Sequence, residues 1–450
     1  YCFDLGSLQI AGSANWTDRS YLVGHGGVVA AKNLTITSST YDINNSGVMV
    51  AAQSLLLDAK RTVTQQSLRA VNRAANSGAF LKTDITKAKS NTVANKIAEM
   101  TGGTVRDIYN GVRNPLISGS RVYYGAKAHG IGSLTVKAGY HVQNLGGEFK
   151  SNGRVLLQTT SYDVNLRAHG RWSHNFSHAD SVDVVAGRNI NLAQAHFKAD
   201  ARTLKLDARG GITADQNSID AATYRNLFIR EMGAGFVNTF TIDTPGWVNI
   251  AARGTITGNR SITSASLYMR STHGEVNQNY ATRTTGETKF VSASTMRVAN
   301  SESSAGNLVL QSTAGSIYIQ GNARATAIDI DAEHSVINGT STMYAGAGGI
   351  NIWAGTSITN VGGRIWSHGN IDLLAGRKRA GSITSTHGTA AALSGYIRSY
   401  GSNKNVRLDT DRGTIRLTNN GVIASGNVTL DASGELWITR SHVEGNTVAL

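Results

Sequence analysis

Three acids in this chain sit between apolar neighbours, as Val182-Asp183-Val184, Ile328-Asp329-Ile330 and Ile371-Asp372-Leu373. Glycoside hydrolysis is the chemistry such acids could perform, since it needs two carboxylates across a groove about 5–10 Å apart. Their separation along the chain puts them on different repeat units, which predicts scattered acids and no catalytic pair. The histidines offer no base in their place. Six of the 12 precede glycine (His25, His129, His169, His273, His368 and His387), which predicts a recurring turn with glycine at positive φ. His169, His174 and His178 lie beside Trp172 and Phe176, but their spacing matches no zinc pattern. Gly24-His25-Gly26-Gly27 lacks the following helix that a phosphate loop needs. No catalytic, cofactor-binding or metal-ligating residue is assigned, and the chain is read as a protein that binds or displays, not as an enzyme.

Another set of polar residues recurs. An apolar-x-apolar triplet runs into Asp in Leu57-Asp58-Ala59, Leu206-Asp207-Ala208, Ile330-Asp331-Ala332, Leu408-Asp409-Thr410 and Leu430-Asp431-Ala432. Asparagine recurs just before a glycine at Asn45, Asn144, Asn360 and Asn420. Both sets predict a structural ladder, with the Asp carboxylates accepting turn N–H bonds at strand ends.

The elements that carry these residues follow from a period of roughly 20 to 22 residues. Leu308-Val309-Leu310, Ile328-Asp329-Ile330, Ile350-Asn351-Ile352, Ile371-Asp372-Leu373, Val406-Arg407-Leu408, Val428-Thr429-Leu430 and Val448-Ala449-Leu450 follow one another at offsets of 20, 22, 21, 35, 22 and 20. Alternation at period two means one buried strand face, and recurrence means that the same strand returns once per coil. A second short strand follows each of several first strands, as at Ile317-Tyr318-Ile319 and Leu436-Trp437-Ile438, and a third follows at Arg364-Ile365-Trp366 and Gly421-Val422-Ile423. A lone coil cannot bury its apolar face, whereas stacked coils share one core. The predicted fold is an all-β, right-handed parallel β-helix, a solenoid with a partly helical insertion.

Composition agrees with that fold. The chain of 450 residues has 50 Gly and only 2 Pro, and its single cysteine, Cys2, leaves no internal disulfide. Charged residues are 16% of the chain, too few for disorder, yet 43 Lys and Arg against 29 Asp and Glu leave +14. Such an excess favours anionic partners such as acidic glycans, lipopolysaccharide phosphates, membrane surfaces or nucleic acid. Residues 1–30 show no signal peptide, and no run matches a membrane-spanning helix. Because the sequence stops at Val448-Ala449-Leu450 inside a repeat strand, the chain is expected to continue or its copies to stack end to end.

The predicted organisation is β-helix coils over 1–59, a basic, partly helical insertion over 60–128, coils over 129–219, an irregular insertion over 220–246, and coils over 247–450. Leu81, Ile85 and Ala88 form one helical stripe of the first insertion, and Val93, Ile97 and Met100 another. That insertion carries Lys60, Arg61, Arg69, Arg73, Lys82, Lys87, Lys89, Lys96, Arg106 and Arg113 against Asp84, Glu99 and Asp107, a net +7 and half of the excess. These cations are candidates for contact with an anionic surface, or a solvated helix face. In the second insertion, Tyr224, Leu227, Phe228 and Phe236 are expected to cap a coil or pack a short helix.

The Asn-Gly strings Ile43-Asn44-Asn45-Ser46-Gly47-Val48, Asn144-Leu145-Gly146-Gly147-Glu148-Phe149, Asn360-Val361-Gly362-Gly363-Arg364-Ile365 and Asn419-Asn420-Gly421-Val422-Ile423 alternate with the Leu-Asp-Ala strings. Together they resemble the degenerate repeats of filamentous haemagglutinin-type exoproteins, the large adhesins and contact-dependent inhibition proteins of two-partner secretion. The resemblance covers most of the chain and implies a secreted, cell-surface fibre. Its implied partners are an outer-membrane transporter and host or bacterial surface glycans or receptors, with end-to-end self-association and no specific nucleic acid. No cofactor is implied. The family's Asn-Pro secretion motifs are not matched by Asn114-Pro115-Leu116-Ile117, which places the segment downstream of the secretion domain. Adhesion or cell–cell contact is the expected function. A stalk for a toxin-delivery exoprotein, and a carbohydrate-active β-helix enzyme or phage tailspike, remain as alternatives.

Overall fold

A computed structural model of the protein describes residues 9–11, 27–30, 32–45, 48–66, 68–71, 116–118, 121–124, 127–145, 147–167, 176–177, 180–193, 201–214, 224–376, 381–386, 396–411 and 413–450. These residues are all-β, with no helix among them, and their strands stack in parallel as a β-solenoid. They fall into two compact units, Tyr1–Glu231 and Met232–Leu450.

In the first unit each coil turns through three faces. One coil runs Asn33–Ser38, Ile43–Asn45, Val48–Ala51, and the next begins at Ser54–Ala59. Leu34, Leu55, Leu134, Val155, Val182, Leu204 and Leu227 lie one above another in register on the first face. All are buried. Along Asn33–Ser38 exposed and buried positions alternate, so the sequence's period-two pattern maps directly onto out and in. Each such side chain contributes about 1.5–3 kcal/mol by leaving water. The second face is a 6-stranded parallel sheet and the third a 5-stranded one, counted over the described residues.

The basic insertion leaves the solenoid at the corner between the second and third faces. Val63–Gln66 is itself a coil strand, paired with Ile43–Asn45 and Val142–Leu145, and Lys127–Gly130 resumes the third face against Val48–Ala51. Ser133–Ala138 then pairs with Ser54–Ala59, so the stack closes in register across the excursion. At its base Leu68–Val71, Arg121–Tyr124 and Leu116–Ser118 form a small antiparallel sheet. Both predicted helical stripes lie outside the described residues.

The predicted irregular segment 220–246 is corrected by the structure. Tyr224–Glu231 is a regular first-face strand, with Leu227 and Ile229 placed against Leu204 and Leu206. In the second unit Gly235–Asn238 and Ile242–Asp243 are likewise coil strands. Tyr224, Leu227 and Phe236 point inward, and Phe228 points outward. The repeat was hidden because its offset stretches to 23 residues at Leu204–Leu227 and because aromatic residues replace Val and Ile.

In the second unit the first face stacks Leu308, Ile328, Ile350, Ile371, Val406, Val428 and Val448, the column that the sequence period anticipates. The second face is a 10-stranded parallel sheet among the described residues. The third face runs through Ile262–Ser264, Thr282–Thr284, Ser301–Ser303, the leading parts of Ala323–Ala332 and Thr342–Ala354, then Arg364–Ser367, Tyr396–Ser399, Gly421–Ile423 and His442–Glu444. The offset of 35 residues between Ile371 and Val406 comes from chain added between strands, since the two still pair in register.

The expectation of positive φ is also corrected for the three His-Gly pairs whose glycine is described, at Gly130, Gly274 and Gly369. Positive φ among the described glycines occurs at Gly235, Gly349, Gly362 and Gly376, none of which follows His. Gly274 and Gly369, which do follow His, are glycine because neighbouring backbone comes close. A Cβ would lie 2.5 Å from the Thr255 nitrogen in the first case and 2.5 Å from the Ala347 oxygen in the second.

Candidate functional site

The recurring asparagines are inside the solenoid. Asn45, Asn144, Asn360 and Asn420 are all buried. Each stands at or next to the corner where the second face turns into the third, and two of them hold that turn closed. The Asn144 amide donates to the Gly147 carbonyl at 2.9 Å and its oxygen accepts from the Gly147 N–H at 2.9 Å. Asn360 donates to the Gly363 carbonyl at 3.0 Å. They also bond along the stack: Asn45 to Gln65 at 3.2 Å, Asn338 to Asn360 at 2.7 Å, Asn360 to Ser385 at 3.1 Å, and Asn420 to Ser385. A buried amide must find partners or lose about 1–3 kcal/mol, which explains why the same residue type returns coil after coil.

The recurring aspartates behave differently from the expected turn acceptors. Each follows an inward leucine or isoleucine, so the strand's alternation turns it outward. Asp207 accepts from Arg230 Nε at 2.8 Å, with Lys205 Nζ at 3.7 Å, and Asp409 binds Arg407. Asp58 is half-buried, and Asp331 and Asp431 are exposed. Ion pairs along the same strand or to the next row, not turn N–H groups, occupy the carboxylates that the structure shows bonded.

The mid-strand acids stand on different coils, and two of them share a column. Asp329, Asn351, Asp372 and Arg407 share one outward column. Asp329 and Asp372 therefore lie two coils apart, about 9.6 Å at the usual ~4.8 Å strand spacing. Asn351 fills the row between them and donates to Asp329 at 2.8 Å. Burial pushes the Asp372 carboxyl above its usual range, and Arg407 opposes that shift. Asp183, in the first unit, is paired with Arg154 at 2.8 Å.

Of the basic residues singled out from the sequence, Lys60 and Arg61 are exposed. Lys60 borders a shallow groove of about 460 Å³ with Asp58, Lys137, Tyr140 and Gln158. Arg61 lies 4.0 Å from Asp42. Arg69 is on the strand Leu68–Val71. Arg73, Lys82, Lys87, Lys89, Lys96, Arg106 and Arg113, like His169, His174 and His178, lie outside the described residues.

The strongest candidate is a strip that the sequence reading did not single out, on the outer side of the third face of the second unit. Arg324, Tyr344, Trp366 and Arg398 occupy four successive rows of one column, and Arg364 and Tyr396 occupy two rows of the next. The guanidinium of Arg324 lies 5.2 Å from the Tyr344 ring centre, that of Arg364 5.6 Å from both Trp366 and Tyr396, and that of Arg398 4.4 Å from Tyr400. Trp366 stacks on Tyr396 at 5.1 Å and meets Tyr400 edge-on at 5.7 Å. His368 meets Tyr344 at 5.8 Å. Burial raises the Tyr396 phenol above its usual pKa, helped by Tyr400 and opposed by Arg364 and Arg398, so the hydroxyl remains a neutral donor at physiological pH.

Charge balance and clustering together set this strip apart, since Arg416 on the second face also lies over a ring, Trp437 at 5.6 Å, with no described ion pair, but stands singly. The described ion pairs of the second unit are Arg297–Glu275, Arg407–Asp409 and His442–Glu444, and none involves Arg324, Arg364 or Arg398. On the second face Arg297 also lies over a ring, Tyr318 at 5.3 Å, but Glu275 neutralises it at 3.0 Å. The strip's arginines have rings and no described ion pair, although Glu302 occupies the row beside Arg324 in the same column. Arg364 Nε, Arg398 Nε and Trp366 Nε1 are buried and have no hydrogen-bond partner among the described residues, so an approaching anion meets the terminal guanidinium nitrogens. A guanidinium with one side covered by an aromatic face is held in place and partly desolvated, which strengthens its attraction for an incoming anion.

The signal was present in the sequence as Arg364-Ile365-Trp366 and Tyr396-Ile397-Arg398, but aligning these strings requires knowing that residues 32 apart are neighbours. Comparison with protein-family models, with curated proteins and with solved structures gave no match.

Proposed function

We propose that the chain is a segment of a secreted bacterial surface fibre that adheres to anionic surfaces through the outer side of its third face. The observation that carries this reading is the strip of three arginines set on aromatic rings and without an ion pair among the described residues, on a backbone whose coils satisfy one another's edges. Stacked coils make a stiff support, because each strand's N–H and C=O groups are bonded by the strands of the coils beside it. Outward positions are then free to vary without disturbing the core, which is the arrangement a display protein needs. The repeat resemblance adds the expectation of export through an outer-membrane transporter of the two-partner type. Adhesion of the purified chain to bacterial and epithelial cells, with and without the triple substitution Arg324→Ala, Arg364→Ala and Arg398→Ala, tests the reading. Salt-sensitive adhesion that falls with the triple variant is expected. Equal adhesion by the two proteins would rule out the third face as the contact surface.

A further inference from the structure

We propose that the strip takes a linear acidic polysaccharide whose charges are carboxylates, as in a polyuronate. This names the ligand of the contact surface described above and rests on that reading. Four features of the strip select the ligand.

Shape comes first. Arg324, Tyr344, Trp366 and Arg398 span three row-to-row steps along the stack, about 14 Å at ~4.8 Å each. The surface is a straight line on a flat sheet, which fits an extended polymer better than a folded partner.

Charge density comes second. Arg324 and Arg364 are separated by the row of Tyr344, Arg364 and Arg398 stand in consecutive rows of different columns, and no row carries more than one of these cations. Such spacing complements a polymer with isolated single charges. A densely sulfated chain would leave much of its charge unanswered.

Geometry of the donors comes third. Each guanidinium is held against a ring, with Arg364 beside the stacked pair of Trp366 and Tyr396 at 5.6 Å from each ring centre. A fixed planar fork suits a planar two-oxygen acceptor, and this is the carboxylate's geometry.

The rings themselves supply the fourth. Single-stranded nucleic acid is bound by bases stacking on free aromatic faces. Here Trp366 and Tyr396 already stack on each other at 5.1 Å, so the ring edges and the Tyr396 and Tyr400 hydroxyls are what a ligand meets. Edges and hydroxyls suit a sugar's C–H and O–H groups.

Binding of the full chain to polygalacturonate, to its methyl ester, to dextran sulfate and to a thymidine oligonucleotide, measured by calorimetry at low salt, tests the assignment. Polygalacturonate is expected to bind best. Methyl esterification, which removes the charge and keeps the sugar, should weaken binding by at least about tenfold, since a charge-assisted bidentate contact contributes roughly 1.5–3 kcal/mol. Arg364→Ala should have a comparable effect. Arg364→Lys keeps the charge and loses the fork, and it should weaken binding while leaving the circular dichroism spectrum and the melting temperature unchanged, which separates lost recognition from lost folding. Equal binding of the methyl ester, tighter binding of dextran sulfate or the oligonucleotide, or an Arg364→Lys variant that binds like the parent would overturn the assignment. If cells are still bound through the three arginines but polygalacturonate is not, the ligand class is wrong and the adhesive reading stands. If polygalacturonate binds through the arginines but cells do not, the adhesive reading fails and the ligand class stands.

Discussion

In the unit spanning Tyr1–Glu231, Arg154 reaches Asp183 at 2.8 Å, Arg230 reaches Asp207 at 2.8 Å and Arg188 lies 3.4 Å from Asp163, each acid standing on a neighbouring coil. On the third face of the unit spanning Met232–Leu450, Arg324, Arg364 and Arg398 lie on Tyr344, Trp366, Tyr396 and Tyr400. Both regions place cations on the outside of stacked coils, and the backbone that carries them is the same. They differ in what faces the charge. An arginine whose neighbouring coil supplies a carboxylate has spent its directional hydrogen bonds within the fold and adds little to an approaching anion. An arginine resting on a ring keeps its outward N–H groups available. The net charge of +14 therefore says less about binding than the partner of each cation does.

If this contrast is right, recognition and stability separate between the two regions. The largest effect is expected for Arg364→Ala combined with Arg398→Ala, which should lower polyuronate affinity by about a hundredfold if two charge-assisted contacts are lost. Arg154→Ala combined with Arg188→Ala should leave it within about twofold, because exposed ion pairs carry little energy and their cations are already neutralised. Titration calorimetry on the two double variants reads both numbers, and similar losses in the two would break the comparison.

Stability should show the reverse. Asp207 is nearly covered and binds Arg230, whose own side chain is mostly exposed. Asp207→Asn is expected to cost about 1–2 kcal/mol, seen as a lower denaturation midpoint. Arg364→Lys should cost less than about 0.5 kcal/mol, since lysine keeps the cation and an aliphatic stem beside Trp366 and Tyr396.

The turn asparagines sharpen the comparison further. Asn144→Ala and Asn360→Ala should each cost about 1–3 kcal/mol by leaving buried partners unpaired. Only Asn360→Ala should also weaken polyuronate binding, because Asn360 holds the Gly363 carbonyl at the turn that leads into Arg364. Loss of binding by the Asn144 variant would show that general destabilisation, not the local turn, is being measured.

The smallest effect concerns Asp372, an acid in the second unit whose neighbour Arg407 is drawn to Asp409. Because burial raises its folded pKa above the usual 3.8, the folded state keeps the proton to higher pH than the unfolded chain does. The stability this contributes is present at low pH and is lost as pH rises through the raised value. Asp372→Asn should therefore raise the melting temperature slightly at pH 7 and not at pH 3. A variant that melts lower at pH 7 would mean that Arg407 outweighs burial.

The path from sequence to these residues was uneven for a physical reason. Leu308, Ile328, Ile350 and Ile371 announced themselves because burial on every coil restricts them to apolar types, and the Asn144 and Asn360 turns because few side chains can satisfy a buried corner. The first-face strand at Tyr224–Glu231 was misread as irregular because its apolar pair, Leu227 and Ile229, arrived late and among aromatics. The shared column of Asp329 and Asp372 was not legible, since they lie 43 residues apart in the sequence and are aligned only through the intervening coil.

By itself, then, the sequence determined the inward half of the protein: a parallel coil of about 21 residues, the residues that fill it, and the asparagines that turn its corner. Only the tertiary structure decided the outward half. Solvent tolerates almost any residue at an outward position, so no period marks it, and which outward residues meet depends on how much chain each coil adds at its corners. Arg364 and Tyr396 are neighbours because their strands pair in register although 32 residues separate them in the sequence.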